Sequence, residues 1–89
     1  MASWKTAYED CEELKKFKGN WDGANPEDVL DETVNILNSI LINMEKGGIS
    51  PPDIKYPASD GSVWAEWVCD EDRKIITVSR TGKLSIINW

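Results

Sequence analysis

Two pairs of adjacent isoleucines, Ile75-Ile76 and Ile86-Ile87, constrain the fold of this chain more than any other feature. Each pair lies in a run of strand-forming residues bounded by turn-forming residues. Successive side chains of a strand point to opposite faces of a sheet, so each pair places one isoleucine on each face, whatever the pairing register. The sequence therefore predicts a sheet that is apolar on both faces.

Three antiparallel strands are predicted in the last third of the chain, joined as a meander. They cover Ser62 to Cys69, Arg73 to Ser79 and Leu84 to Trp89. Turns are expected at Asp60-Gly61, at Asp70-Glu71-Asp72 and at Thr81-Gly82. In the first strand, Trp64 and Trp67 point to opposite sides of the sheet because they are three residues apart.

An amphipathic helix is predicted near the start of the chain. Its apolar side chains recur at spacings of three and four residues, at Trp4, Ala7, Tyr8, Cys11 and Leu14. Ser3 is placed to cap its N-terminus, lysines gather in its last turn, and Gly19 supplies a left-handed residue to end it.

A second helix is predicted from Asn25 to Gly47. Asn25 is the expected N-cap and Pro26 the first helical residue, so Glu27 and Asp28 lie in the first turn, where acids suit the helix dipole. Apolar residues repeat with helical period at Leu30, Val34, Leu37, Leu41 and Met44. The stripe is widened by Val29, Ile36, Ile40 and Ile42. This width indicates a central helix or one that contacts a partner.

Together these elements predict one α+β domain over residues 1–89, with two helices followed by a three-stranded antiparallel meander. Prolines on both sides of residues 54–56 remove backbone donors, so this segment adds at most a short edge strand. The second helix can cover one face of the sheet. The other face needs the first helix, the loop around Trp21, a second copy or a different protein, and cover from within the chain is the simplest expectation.

The charge of the chain limits its partners. Ten Lys and Arg stand against 16 Asp and Glu, which gives a net charge of -6. A field of this sign repels phosphate backbones and anionic lipids, so direct binding to nucleic acid or membrane is not expected. The longest apolar run, Ile40 to Ile42, is far shorter than a membrane span, and no signal-peptide pattern opens the sequence. We therefore expect a soluble, cytoplasmic protein.

The chemistry available for catalysis is limited. Histidine is absent, which removes the commonest general base and metal ligand. Cys11 and Cys69 are too far apart for a zinc knuckle and are expected to be buried free thiols. Adjacent carboxylates occur at Glu12-Glu13, Asp31-Glu32 and Asp70-Glu71-Asp72. Their places on polar helix faces or in a turn favour solvated surface charge, so no catalytic residue, metal or cofactor is predicted.

A resemblance rests on residues 19 to 67. Gly19-Asn20-Trp21-Asp22-Gly23 precedes a helix opened by Pro26, and Asp60-Gly61-Ser62-Val63 leads into Glu66-Trp67. This arrangement resembles small uncharacterised bacterial and prophage proteins with a Trp-Asp-Gly loop before a helix and an Asp-Gly turn before a Glu-Trp strand. The resemblance implies no enzymatic activity. It implies that Trp21 and Trp67 pack together, with Asp22 fixing the loop.

Three functions fit these observations. The first is a non-enzymatic protein-binding module, such as a phage or mobile-element inhibitor of the anti-CRISPR kind that occludes a basic nucleic-acid-binding surface of a host nuclease or defence complex. Its candidate acids are Glu9, Asp10, Glu12, Glu13, Asp31 and Glu32. The second is an antitoxin-like or self-associating protein, including a homodimer, held by apolar contacts at Trp64, Ile87 and Trp89. The third is a small enzyme that uses carboxylates.

Overall fold

A computed structural model describes residues 3–19, 27–69 and 71–89. Its helices are α1 (Trp4–Glu13), followed directly by a 3₁₀ turn (Leu14–Lys16), and α2 (Asp31–Lys46). Its strands are β1 (Asp53–Ile54), β2 (Val63–Cys69), β3 (Asp72–Val78) and β4 (Leu84–Ile87). The strands form one antiparallel sheet in the order β1-β2-β3-β4. The predicted α+β class is confirmed, and the extra edge strand is present at Asp53–Ile54 instead of 54–56.

Helix α1 begins as its sequence predicts. The side chain of Ser3 accepts a hydrogen bond from the Thr6 amide at 3.1 Å, which satisfies one of the free donors at the helix N-terminus. The helix then tightens into the 3₁₀ turn, which contains Lys15 and Lys16. Gly19 adopts the expected left-handed backbone, with φ 62°.

Helix α2 starts later than predicted, at Asp31 with Leu30 as its extended N-cap residue. In the preceding segment, residues 27–30, two backbone amides donate to distant carbonyls instead of to carbonyls within a helix. The Glu27 amide donates to the Ser59 carbonyl at 2.8 Å, and the Val29 amide donates to the Phe17 carbonyl at 2.9 Å. These bonds hold residues 27–30 out of the helix, so Asp31 and Glu32, not Glu27 and Asp28, occupy its first turn. The predicted cap Asn25 and Pro26 lie outside the described residues.

The two helices run antiparallel. At one end, the Trp4 indole donates to the carbonyl of Ile49, just past the end of α2, at 3.1 Å. At the other end, the thiol of Cys11 lies 3.8 Å from the carbonyl of Val34, near the start of α2. Cys11 is a buried free thiol as expected. The prediction for the Cys69 side chain lies outside what the structure describes.

The strand register sorts the isoleucines as the sequence predicts. Ile76 pairs with Ile86 and Ile75 with Ile87, so each adjacent pair divides between the two faces. The predicted turns at 60–61 and 81–82 are also formed. Asp60 accepts the Ser62 amide at 2.9 Å, and Gly82 sits in the second turn with φ 89°. Strand β4 stops at Ile87, shorter than the predicted Leu84 to Trp89.

The hydrophobic core lies on one side of the sheet, which we call the helix face. It contains Val63, Ala65, Trp67, Ile76 and Val78 from the sheet and Cys11, Leu14, Val29, Val34, Leu37 and Leu41 from the remaining chain. Both helices pack here, since Trp4 and Tyr8 of α1 contact the same core. Neither helix therefore covers the opposite side of the sheet.

The opposite side, which we call the outer face, carries Trp64, Glu66 and Val68 of β2, Ile75 of β3 and Ile87 of β4. In the described ranges, none of these side chains belongs to the core. Val68 is 60% exposed and Ile87 48% exposed. Cover by the loop around Trp21, and its predicted packing with Trp67, lie outside the described residues. The first helix, one of the four alternatives for covering this face, packs against the helix face instead.

Candidate interaction surface

The acids predicted on α1 are exposed, but half of them have partners. Glu12 pairs with Lys15 at 3.1 Å and Glu13 with Lys16 at 3.0 Å. Ion pairs between exposed side chains three residues apart stabilise little, yet they neutralise the local field. Glu9 and Asp10 form no ion pair within the described part of the chain. Helix α1 therefore offers two unpaired carboxylates, fewer than its sequence indicates.

Asp31 and Glu32 lie in the first turn of α2, where they favour the helix dipole. Asp31 lies 3.3 Å from the ammonium of Lys18, and Glu32 lines a small groove of about 280 Å³ with Arg80. Both acids thus have a local structural explanation. The remaining candidate carboxylates, Asp70-Glu71-Asp72, include Asp70, which lies outside the described residues.

Glu66 is the one acid in the described ranges that is buried, at 7% exposure. Its carboxylate lies on the outer face between Lys55 at 3.3 Å and Arg73 at 3.0 Å. Lys55 directly follows β1 and Arg73 belongs to β3, so Glu66 links the segments on both sides of β2 to that strand. Sequence analysis did not single out this residue, because the signal depends on cross-strand register.

Two of the predicted apolar contacts share the outer face. Trp64 is half-buried and its indole donates to the Tyr56 carbonyl at 2.8 Å, which holds the ring at the β1 side of the sheet. Ile87 lies two strands away and is 48% exposed. The structure therefore places these two residues on one face, but not in one cluster.

Trp89 lies apart from them. Asn88 has a left-handed backbone, with φ 63°, which ends β4 and breaks the alternation of side chains. The Trp89 ring then packs edge-on against Trp67 of the helix face, with centroids 5.2 Å apart and an interplanar angle of 79°. The ammonium of Lys74 lies 5.0 Å from the same ring, within reach of a cation–π interaction.

Among the described residues, several exposed large apolar side chains are grouped around β4. All four residues of the strand are exposed, including Leu84, Ile86 and Ile87, and Trp89 follows directly. We call this set, Leu84–Ile87 with Trp89, the β4 edge. Ile87 and Trp89 were predicted from the sequence as apolar contacts, whereas Leu84 and Ile86 were not, because their exposure depends on how far the helices extend across the sheet.

The backbone of the β4 edge is also open. The Ser79 amide donates to the Lys83 carbonyl at 2.9 Å, which identifies this pair as hydrogen-bonded across β3 and β4. Because such pairs alternate along an antiparallel ladder, Ser85 and Ile87 bond to β3, while the amides and carbonyls of Leu84 and Ile86 point away from the sheet. No described residue bonds to these outward groups.

The opposite edge of the sheet is protected. Strand β1 has only two residues, Asp53 and Ile54, and prolines lie shortly before and after it. Ile54 packs against the core beneath α1. Short length, charge and proline are the usual ways in which proteins block an edge strand. The β4 edge uses none of these within the strand itself.

A groove between the helices is a further concave surface. It has a volume of about 370 Å³ and is lined by Tyr8, Ile42, Glu45 and neighbouring polar residues, and the Tyr8 hydroxyl donates to Glu45 at 2.7 Å. Burial of its ring and this neighbouring carboxylate raise the pKa of Tyr8 to about 12. Within the described residues, no group of three or more potential ligands is arranged to hold a metal ion.

Comparison with known proteins does not assign the chain to a family. No protein-family model, no curated protein and no solved structure matches it. No helix in the described ranges is long and apolar enough to cross a membrane.

Proposed function

We propose that this protein is a non-enzymatic protein-binding module that binds its partner through the β4 edge. One observation carries the proposal. The β4 edge exposes large apolar side chains next to outward-facing backbone donors and acceptors. Exposed apolar patches and open strand edges are both features by which proteins recognise other proteins.

Burial of this surface favours association. Leu84 and Ile86 project on the helix face, and Ile87 on the outer face, so a partner that covers the edge removes apolar area from water on both sides of the sheet. The outward amides and carbonyls of Leu84 and Ile86 supply hydrogen bonds that fix the direction of a bound segment. Burial of apolar area provides the affinity, and the backbone hydrogen bonds determine how the bound segment is oriented.

The acidic helix supports a narrower form of the same proposal. Glu9 and Asp10 are exposed and lack ion pairs among the described residues, so they could face a basic surface of a nuclease or defence complex. Two unpaired acids form a weak electrostatic surface, and we therefore place binding at the β4 edge first. This form of the proposal makes α1 a secondary contact that speeds association.

A comparison of two matched variants tests the proposal. Ile86→Lys places a charge on the β4 edge, and Ile42→Lys makes the same change at a residue of similar partial exposure on α2. Wild type and both variants are immobilised and exposed to a lysate of the source organism. We expect a stoichiometric partner to be retained by wild type and Ile42→Lys and lost by Ile86→Lys. Equal retention by all three proteins, or loss caused by Ile42→Lys alone, would contradict binding at this edge.

A further inference from the structure

Charge is divided unevenly along the chain. Residues 72–89, which form β3, β4 and the turn between them, contain Arg73, Lys74, Arg80 and Lys83 but a single acid, Asp72. This hairpin therefore has a net charge of +3. Residues 1–71 have a net charge of -9, which gives -6 for the whole chain. The β4 edge therefore belongs to the basic hairpin of an acidic protein.

Two of these cations lack a carboxylate partner among the described residues. Arg73 pairs with Glu66, and Arg80 lies 3.9 Å from Glu27. Lys74 instead lies over the ring of Trp89, and the side chain of Lys83 has no contact that would neutralise it in the described ranges. Lys83 immediately precedes β4, and Lys74 immediately precedes Ile75, which pairs with Ile87 at the far end of β4. A lysine without a carboxylate partner among the described residues thus lies near each end of β4, Lys83 next to the strand and Lys74 on the neighbouring strand β3.

We propose that the occupant of the β4 edge is an extended acidic segment of a partner protein, added to the sheet as a fifth strand. This inference rests on the proposed function and specifies the chemistry of the partner. The backbone groups of Leu84 and Ile86 bind the segment by strand addition. Its uncharged centre covers Leu84, Ile86 and Ile87, and acidic residues near its two ends meet Lys83 and Lys74.

The positions of the lysines define the spacing of the acids. Leu84 lies on the helix face, so Lys83 projects toward the outer face, whereas Lys74 lies on the helix face with Trp67 and Trp89. Residues of the added strand opposite positions 83 and 88 are five apart, about 17 Å, and point to opposite faces. Two acids with four uncharged residues between them therefore place one carboxylate on the same face as each lysine, in either strand direction.

The same charges disfavour a second copy of this chain as the occupant. Pairing of two β4 edges would bring together two hairpins that each carry +3. The repulsion between these two basic hairpins opposes self-association. An acidic segment replaces this repulsion with attraction.

Titration of the ¹⁵N-labelled protein with synthetic peptides tests the proposal. The probe is acetyl-Glu-Val-Thr-Val-Thr-Glu-amide, and the charge control replaces both glutamates with lysine. A backbone control carries N-methyl groups on alternate central residues, which removes donors needed for a ladder without changing charge. We expect the acidic probe to shift the amide resonances of Leu84 and Ile86, and the lysine peptide to bind at least about fivefold more weakly.

A charge exchange makes the test specific. Lys83→Glu is expected to reverse the preference, so that the lysine peptide binds more tightly than the acidic probe. Ile42→Lys, remote from the edge, should leave the preference unchanged. N-methylation should weaken binding by about tenfold through loss of backbone hydrogen bonds.

Three results overturn the proposal. They are absence of binding at millimolar peptide, shifts centred on the helix groove or the outer face, and a charge preference that Lys83→Glu does not change. A sedimentation experiment that shows a dimer dissociated by Ile86→Lys would make a second copy the occupant and also overturn it. Loss of a lysate partner by Ile86→Lys with no acidic-peptide preference would contradict this inference while leaving the proposed function standing.

Discussion

Ile76 and Ile86 lie directly opposite each other on neighbouring strands and on the same face of the sheet, yet Ile76 is 2% exposed and Ile86 is 54% exposed. The layer of helices therefore ends at β3. Strand β4 extends the sheet beyond the core, and its apolar side chains remain in water. The apolar side chains of the β4 edge are exposed because the helices cover β3 but not β4.

Adjacent residues of α2 should differ sharply in their effect on stability. Leu41 is fully buried in the core, whereas Ile42 is 39% exposed. We expect Leu41→Ala to lower the free energy of unfolding by about 2–5 kcal/mol, since it leaves a cavity in the core. Ile42→Ala should cost only about 1 kcal/mol, because part of its side chain is already in water and the truncation leaves no enclosed cavity. Urea denaturation measures both, and similar losses would contradict the assigned face of α2.

The charges around Glu66 should be coupled. Replacing both cations, as in Lys55→Met with Arg73→Leu, leaves the buried carboxylate without a partner, and we expect a loss of about 1–3 kcal/mol in the free energy of unfolding. Adding Glu66→Gln to this double variant should recover stability because the unpaired charge is removed. Chemical denaturation of the three proteins checks this order, and a further loss on adding Glu66→Gln would disprove it.

Cys11 should make stability fall at high pH. Burial, followed by the nearby Glu12 carboxylate, raises the pKa of its thiol from 9.0 to about 12. Below pH 9 the thiol is protonated in both states, and its stabilising contribution is complete. Between pH 9 and 12 only the unfolded chain loses the proton, so stability falls as pH rises, by about 1 kcal/mol per pH unit from this group.

The matched protein for this pH experiment is Cys11→Ala. Its free energy of unfolding, measured by denaturation at pH 8 and at pH 10.5, should fall less steeply than that of wild type. Cys69 is present in both proteins and cancels in the comparison. Identical pH dependence in the two proteins would show that the Cys11 thiol is ionised as readily in the folded chain as in the unfolded one.

The backbone of Asn88 should control the position of Trp89. Glycine adopts a positive φ freely, whereas a β-branched residue is strained there by about 1–2 kcal/mol. We expect Asn88→Gly to keep Trp89 against Trp67, and Asn88→Val to release it. The NMR shift of the Trp67 indole proton reports the neighbouring ring, with Trp89→Ser as the reference for its absence. A Trp67 shift in Asn88→Val equal to that of wild type would contradict this role.

Local patterns predicted much of the fold. The cap at Ser3, the helical stripe of α2 and the division of the isoleucine pairs between faces follow from backbone geometry and side-chain period, which act over a few residues. The alternation rule holds in every register, so it predicts the division of each isoleucine pair without knowledge of the strand pairing. The α+β class follows from the order of these elements.

The errors occurred where distant parts of the chain compete with local preference. Residues 27–30 have an acidic, proline-led pattern typical of a helix start, but hydrogen bonds to Ser59 and Phe17 hold them extended. At the other end of the chain, the left-handed Asn88 ends β4 and returns Trp89 to the helix face. Neither outcome can be read from side-chain period.

The sequence by itself determined that apolar residues must lie on both faces of a sheet, because alternation is a property of every strand. Only the tertiary structure decided which of them remain in water. Exposure depends on how far the helices extend across the sheet, and they cover β2 and β3 but stop before β4. The positions of Lys74 and Lys83 relative to that strand, both without a carboxylate partner among the described residues, depend on register in the same way.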